Sequence, residues 1–144
     1  MSKAPTAKIT GACLCGGVKF EASGPFRPVT YCHCTQCRKT SGHYLAATAC
    51  KYEHLKFSVD EHLKWFRSSP RAERGFCANC GSSLFWRPAH RKRVAIMAGA
   101  LDSPTGLKAV DHIFVADAGD YYSIDDGLPQ HDDYGSVDMS IPEE

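Results

Sequence analysis

What most restricts the fold of this chain is the placement of its cysteines, seven of eight falling in three short clusters. These are Cys13-Leu14-Cys15-Gly16-Gly17, Cys32-His33-Cys34-Thr35-Gln36-Cys37 and Cys77-Ala78-Asn79-Cys80-Gly81. A Cys-x-x-Cys-Gly element is a zinc knuckle. Two intervening residues let the chain turn around one ion, and the glycine accepts the positive φ that aims backbone N–H groups at sulfur. One knuckle supplies two of the four ligands of a tetrahedral structural site. Cys13 and Cys15, also followed by glycines, are the natural partners of Cys77 and Cys80. A fold that meets this demand brings together two segments far apart in the chain.

Cys32, Cys34 and Cys37 remain, three thiolates within six residues. They can cap three faces of a second ion and leave one position open, the pattern of catalytic zinc. Two zinc ions per chain are expected, the second held less tightly and only partly retained because it lacks a fourth protein ligand. Other readings stand beside this one. A histidine such as His33 or His43 can complete the second site and make both ions structural. A redox Cys-x-x-Cys pair at Cys34/Cys37 or Cys77/Cys80 leaves the other cysteines unexplained. Cys50 lies apart from the clusters and reads as a small core hydrophobe.

A chain of 144 residues with 43% hydrophobic content supplies one core and needs no disulfide framework. The opening MSKAPTAKIT has no apolar signal core, and nowhere do about 18 apolar residues run together. A soluble cytoplasmic protein with no membrane partner is expected. The formal charge of +1 counts every thiol as neutral. Seven thiolates and two zinc ions bring it to about −2, which argues against nucleic acid as a partner. The basic run of Arg87, His90, Arg91, Lys92 and Arg93 reads as a solvated hairpin turn between strands.

Apolar residues recur with period two at Val18, Phe20 and Ala22, at Tyr44, Ala46 and Thr48, at Val94, Ile96 and Ala98, and at His112, Phe114 and Ala116. Gly- and Pro-containing turns separate these runs, so the class is mainly β, with antiparallel pairing. One helical turn is expected from Thr35 to Gly42, with Thr35 as cap and Gly42 as terminator. Residues 1–10 read as a lead-in, 11–135 as one zinc-binding domain and 136–144 as a flexible tail.

The stretches CLCGGVKF, YCHCTQCRKTSG, SSPRAERGFCANCGSSLFW, HIFVADAGDYY and DGLPQ resemble the glutathione-dependent formaldehyde-activating family, whose domain centromere protein V shares. The resemblance runs from Gly11 to Gln130. It implies a β-tent fold of small antiparallel sheets, a structural zinc on Cys13, Cys15, Cys77 and Cys80, and a second zinc on Cys32, Cys34 and Cys37. It also implies a carbon–sulfur lyase that forms or cleaves S-(hydroxymethyl)glutathione, with glutathione as the small-molecule thiol partner.

Three thiolates leave a zinc ion net negative, which weakens it as a source of hydroxide and suits a soft thiol ligand. A substrate thiol that loses its proton on binding can attack an aldehyde carbon, and the reverse step breaks the carbon–sulfur bond. His33, His43 and His112 are proton acceptors by residue type. Arg38 and Lys39 follow Cys37 and can hold a substrate carboxylate or offset the thiolate charge. Phe76, Phe85, Trp86, Phe114, Tyr121 and Tyr122 read first as core, as do Trp65 and Phe66. The alternative from another class is a non-catalytic zinc module whose metals are structural or bind a thiol ligand.

Overall fold

The structure, a computed structural model, describes residues 7–133 and 139–142. Most of the expected lead-in and tail lies outside the described residues. The elements run β1 (Lys8–Ala12), β2 (Lys19–Ser23), β3 (Arg27–Cys32), α1 (Thr35–Ser41), β4 (Leu45–Lys51), β5 (Leu55–Val59), β6 (Leu63–Ser69), β7 (Ala72–Cys77), β8 (Ser83–Pro88), β9 (Arg93–Met97) and β10 (Ala109–Ile113). β1 thus begins inside the stretch read as a lead-in. The mainly β class is the one the chain adopts. Among the described residues no helix is long and apolar enough to cross a membrane.

A three-stranded sheet has the order β1-β2-β5, and a seven-stranded sheet has the order β10-β3-β4-β9-β8-β7-β6. Every pairing is antiparallel except that of β10 with β3. The long connection from β9 to β10 permits this parallel return, which a tight hairpin cannot make.

The two sheets meet through Phe85 of β8, which is fully buried. Its ring lies 5.0 Å from Phe20 of β2 and 5.6 Å from Phe57 of β5, edge-on in both cases, the arrangement favoured by aromatic quadrupoles. Gly75 of β7 is the cross-strand neighbour of both Trp65 and Phe85. Those two rings stack over it at 5.9 Å. A Cβ on Gly75 would sit 3.0 Å from carbons of both rings, so only glycine leaves room for the stack.

The seven-stranded sheet is covered on both faces, which strict alternation in the sequence did not anticipate. Thr48, Cys50, Val94 and Ile96 turn toward the aromatic core. Ala47 and Ala49 turn the other way yet are also buried. On that second face Arg74, Trp86, Ala95, Ala49 and Arg27 form one cross-strand row. Cys32 and Leu45 form a parallel row nearer α1.

Some expectations need correction. The cap of α1 is Cys34, whose Sγ accepts the N–H of Cys37 at 3.3 Å, and Thr35 is already helical. A thiolate takes the place of the usual hydroxyl or carboxylate acceptor. Gly42 ends the helix in the left-handed region, at φ 89. The alternation of His112, Phe114 and Ala116 stops at Ile113, because Phe114 takes φ 55 and starts a 3-10 turn. Phe66 and Tyr121 are 60% and 61% exposed, so neither is core. Cys50 is fully buried, and desolvation raises its thiol to about 12, as befits a packed hydrophobe.

The basic run does not share one face. Arg87 is buried, its guanidinium lying 3.6 Å from the Trp65 ring centre, with Tyr52 Oη at 2.7 Å and Glu73 Oε1 at 3.4 Å. Arg91 pairs with the same Glu73 oxygen at 3.2 Å. Arg93 points to the opposite face of the sheet, beside Trp86.

Candidate metal centres

Cys13 follows β1, and Cys77 closes β7, so the two ends of the chain's first half converge at one corner of the fold. The Sγ atoms of Cys13, Cys15, Cys77 and Cys80 all lie within 4.8 Å of one another. Cys13 and Cys15 are 3.7 Å apart, and Cys15 and Cys77 are 3.6 Å apart. A zinc–sulfur bond of about 2.3 Å in a tetrahedron puts sulfurs about 3.8 Å apart. The set therefore fits a tetrahedral ion.

Backbone donors already face these sulfurs. Val18 N donates to Cys13 Sγ at 3.2 Å, and Cys80 N to Cys77 Sγ at 3.4 Å. Gly16 and Gly81 carry φ of 82 and 78, the left-handed conformation that the glycines after each pair were expected to supply. Hydrogen bonds from the Ser82 hydroxyl and backbone hold the Cys80 thiol down at about 5.

The second group comprises Cys32, Cys34 and Cys37, whose sulfurs also lie within 4.8 Å of one another. Cys32 ends β3, Cys34 caps α1 and Cys37 sits in its first turn. Hydrogen bonds from the Cys32 and Cys37 thiols, then from the Cys37 and Gln36 N–H groups, hold Cys34 well below the ordinary thiol value. Arg74 of β7 adds a cation. Its Nε and Nη2 donate to Gln36 Oε1 at 3.2 and 3.0 Å, and Nη2 reaches Cys37 Sγ at 3.7 Å. Both groups are donor sets able to bind metal ions.

The histidines proposed for the second group are engaged elsewhere. His33 is fully buried, one ring nitrogen bonded to the Tyr122 hydroxyl and the other to His112 Nδ1 at 2.8 Å. His112 Nε2 meets Asp126 Oδ2 at 2.7 Å. His43 Nδ1 bonds the Tyr121 hydroxyl at 2.6 Å. Desolvation, with repulsion from His112 and His43, lowers His33 to about 4 and keeps it neutral. With both ring nitrogens bonded, His33 has no lone pair aimed at the cysteines, and no histidine joins either cysteine group among the described residues. The pattern was hidden in sequence because the segment that follows β10 brings Tyr122 to His33 and Asp126 to His112.

Beside the three cysteines lies a cavity of about 910 Å³ on the second face of the large sheet. Its floor is Leu45, Ala47, Ala49, Ala95 and Met97, small or flexible side chains that leave the space empty, with Trp86 at one side. Four guanidinium groups line it, those of Arg27, Arg71, Arg74 and Arg93. Arg38 and Lys39 do not, although their position after Cys37 suggested it. His33, His43 and His112 do not line it either, whereas His90 and Asp117 do.

Comparison with known proteins gives the family and the fold. The family model described as glutathione-dependent formaldehyde-activating enzyme matches residues 8–117. An uncharacterized lyase of Schizosaccharomyces pombe (strain 972 / ATCC 24843) is 33% identical over 76 residues, which is 53% of this chain and 55% of that protein. The chain thus spans about half the length of this curated relative. The crystal structure of a Rhodobacter sphaeroides protein superposes with a TM-score of 0.57 at 20% identity, covering 69% of this chain and 97% of that one, and so shares the fold. With its family model covering both cysteine groups and most of the sheet, the chain belongs to the glutathione-dependent formaldehyde-activating enzyme family.

Proposed function

We propose that both cysteine groups hold zinc, that the Cys13, Cys15, Cys77 and Cys80 ion is structural, and that the protein is a carbon–sulfur lyase working at the Cys32, Cys34 and Cys37 ion. The observation that carries this reading is the asymmetry of the two groups. Four thiols close one site, whereas three thiols line a cavity large enough for a small molecule. Zinc held by Cys32, Cys34 and Cys37 would supply a Lewis-acidic position that lowers the pKa of an added thiol.

The chain's own residues do the rest. The three thiolates make the centre net negative, which Arg74 offsets from beside Cys37. Leu45, Ala47 and Met97 present apolar walls that displace water from the reacting sulfur. Asp117 is a wall group able to take the thiol proton. In the synthetic direction the thiolate sulfur bonds the aldehyde carbon, and the carbonyl oxygen takes up a proton. In the other direction the carbon–sulfur bond breaks and the hydroxyl proton leaves. S-(hydroxymethyl)glutathione is the adduct of the glutathione and formaldehyde in the family's name. The test is loss of this adduct, followed by NMR with zinc-loaded protein against the spontaneous rate. Acceleration proportional to protein supports the lyase, and no acceleration at any concentration contradicts it.

The placement of His33, His43 and His112 outside the cavity favours a second reading, a zinc-stabilised module that binds a thiol without turning it over. Stoichiometric thiol binding with no acceleration is its signature.

A further inference from the structure

Arg27 is a charged side chain that the metal chemistry leaves unused. It is 7% exposed and lines the cavity from the first position of β3. Its Nη2 donates to the Ala47 carbonyl at 3.3 Å, and its Nε is buried with no partner. No carboxylate of the described residues forms an ion pair with it. Burying a guanidinium costs several kcal/mol unless it is paired, and here one long neutral hydrogen bond and the charge of Asp111 nearby stand in place of a direct ionic partner.

A second cation makes the position less favourable still. Arg93 lines the same cavity, its guanidinium 5.9 Å from the Trp86 ring centre and its Nη1 on the Met139 carbonyl at 3.2 Å. Burial first, and then the charge of Arg93, depress Arg27 to about 10, while Asp111 and Cys32 pull the other way. Two repelling guanidiniums held over an apolar floor are the arrangement that an anion would stabilise. The guanidinium fork matches a carboxylate in particular.

Arg27 pairs with Ala49 and Cys32 with Leu45, so the two backbone rows are four residues of β4 apart, roughly 13 Å, and the Arg27 guanidinium reaches back along β4 to the Ala47 carbonyl, halfway to the cysteine row. Between them lie Ala47 and Thr30 on β4 and β3, with Met97 alongside.

We propose that Arg27 and Arg93 form a carboxylate-recognition end of the cavity, for a substrate whose apolar body crosses the alanine floor and whose sulfur lies at Cys32, Cys34 and Cys37. The inference rests on the reading of this cavity as a thiol-adduct site, and it deepens that reading. It adds to that reading a carboxylate on the thiol substrate, held by the two arginines.

The test uses thiol-free probes, so that binding is read apart from turnover. Octanoate and octanol are titrated calorimetrically into the full-length zinc-loaded protein, and into Arg27→Gln and Arg93→Gln variants whose folding is checked by thermal unfolding. Octanoate should bind at least about tenfold more tightly than octanol, the scale of a charge-assisted bond. That advantage should shrink in either variant. If Arg27→Gln does not fold, Arg93→Gln decides alone. Equal binding of the two probes overturns the proposal. So does an octanoate advantage unchanged in the folded variants, which would mean the carboxylate sits on zinc. A protein that prefers octanoate through these arginines yet accelerates no lyase reaction keeps this inference and loses the lyase reading. An active lyase with no octanoate preference does the reverse.

Discussion

Arg74 Nη2 lies 3.7 Å from Cys37 Sγ while the same guanidinium grips Gln36 Oε1 twice. Gln36 in turn donates to the Ser68 carbonyl at 3.1 Å, so α1 is tied to β6 and β7 through one amide. The cation is held by neutral bonds and left free to balance thiolate charge.

Replacing Arg74 by Met keeps much of the side-chain bulk and removes the charge and both hydrogen bonds. Zinc affinity at the second group should fall about 10- to 100-fold, the range for outer partners of metal ligands. Competition with a chromophoric chelator should show one ion released early and the other held as in the parent protein. Equal retention of both would remove Arg74 from the account.

The two cysteine groups should differ in what they stabilise. Cys80→Ala opens the site that joins the end of β1 to the end of β7, so it should abolish cooperative unfolding or lower Tm by well over 10 °C, since structural zinc binding is folding free energy. Cys37→Ala disturbs only α1 and the cavity wall, and a milder shift is expected. Thermal unfolding with zinc present compares them directly, and equal losses contradict the division into structural and open sites.

Gly75→Ala should destabilise by about 1–3 kcal/mol, the cost of overpacking. The new methyl meets the Trp65 and Phe85 rings at 3.0 Å. Urea unfolding monitored by tryptophan fluorescence measures this, and a neutral result would mean that the ring stack can slide.

His112→Ala leaves His33 Nε2 buried without its partner, a loss of about 1–3 kcal/mol for an unsatisfied buried group. Because this cluster does not line the cavity, turnover per zinc-loaded folded protein should be retained within a few-fold. A loss of activity out of proportion to stability would bring the histidine chain into the mechanism.

Both cysteine groups were readable in the sequence because ligand spacing is a local constraint, and Gly16 and Gly81 carry the backbone signature of the turn. Cys13 and Cys77 could be paired across 64 positions by counting ligands alone. The cavity was not readable. Arg27, Arg74 and Arg93 come from β3, β7 and β9, and only cross-strand register places them on one face. Arg38 and Lys39, adjacent to Cys37 in sequence, lie outside the cavity lining, whereas these dispersed arginines line it. Thr35 reads as the helix cap because hydroxyls usually fill that role, yet Cys34 one residue earlier offers a sulfur acceptor. The exposure of Phe66 and Tyr121 has no signal in their apolar character, since residue type alone does not say which face of a strand or which loop is covered.

The most direct test of the account is anomalous scattering at the zinc edge from crystals of zinc-loaded protein, with and without an added thiol. The account predicts two ions, one bound by Cys13, Cys15, Cys77 and Cys80, and one bound by Cys32, Cys34 and Cys37 with the added sulfur as its fourth ligand. A second ion already closed by a fourth protein side chain, or one that leaves the thiol unbound at saturating concentration, would contradict it.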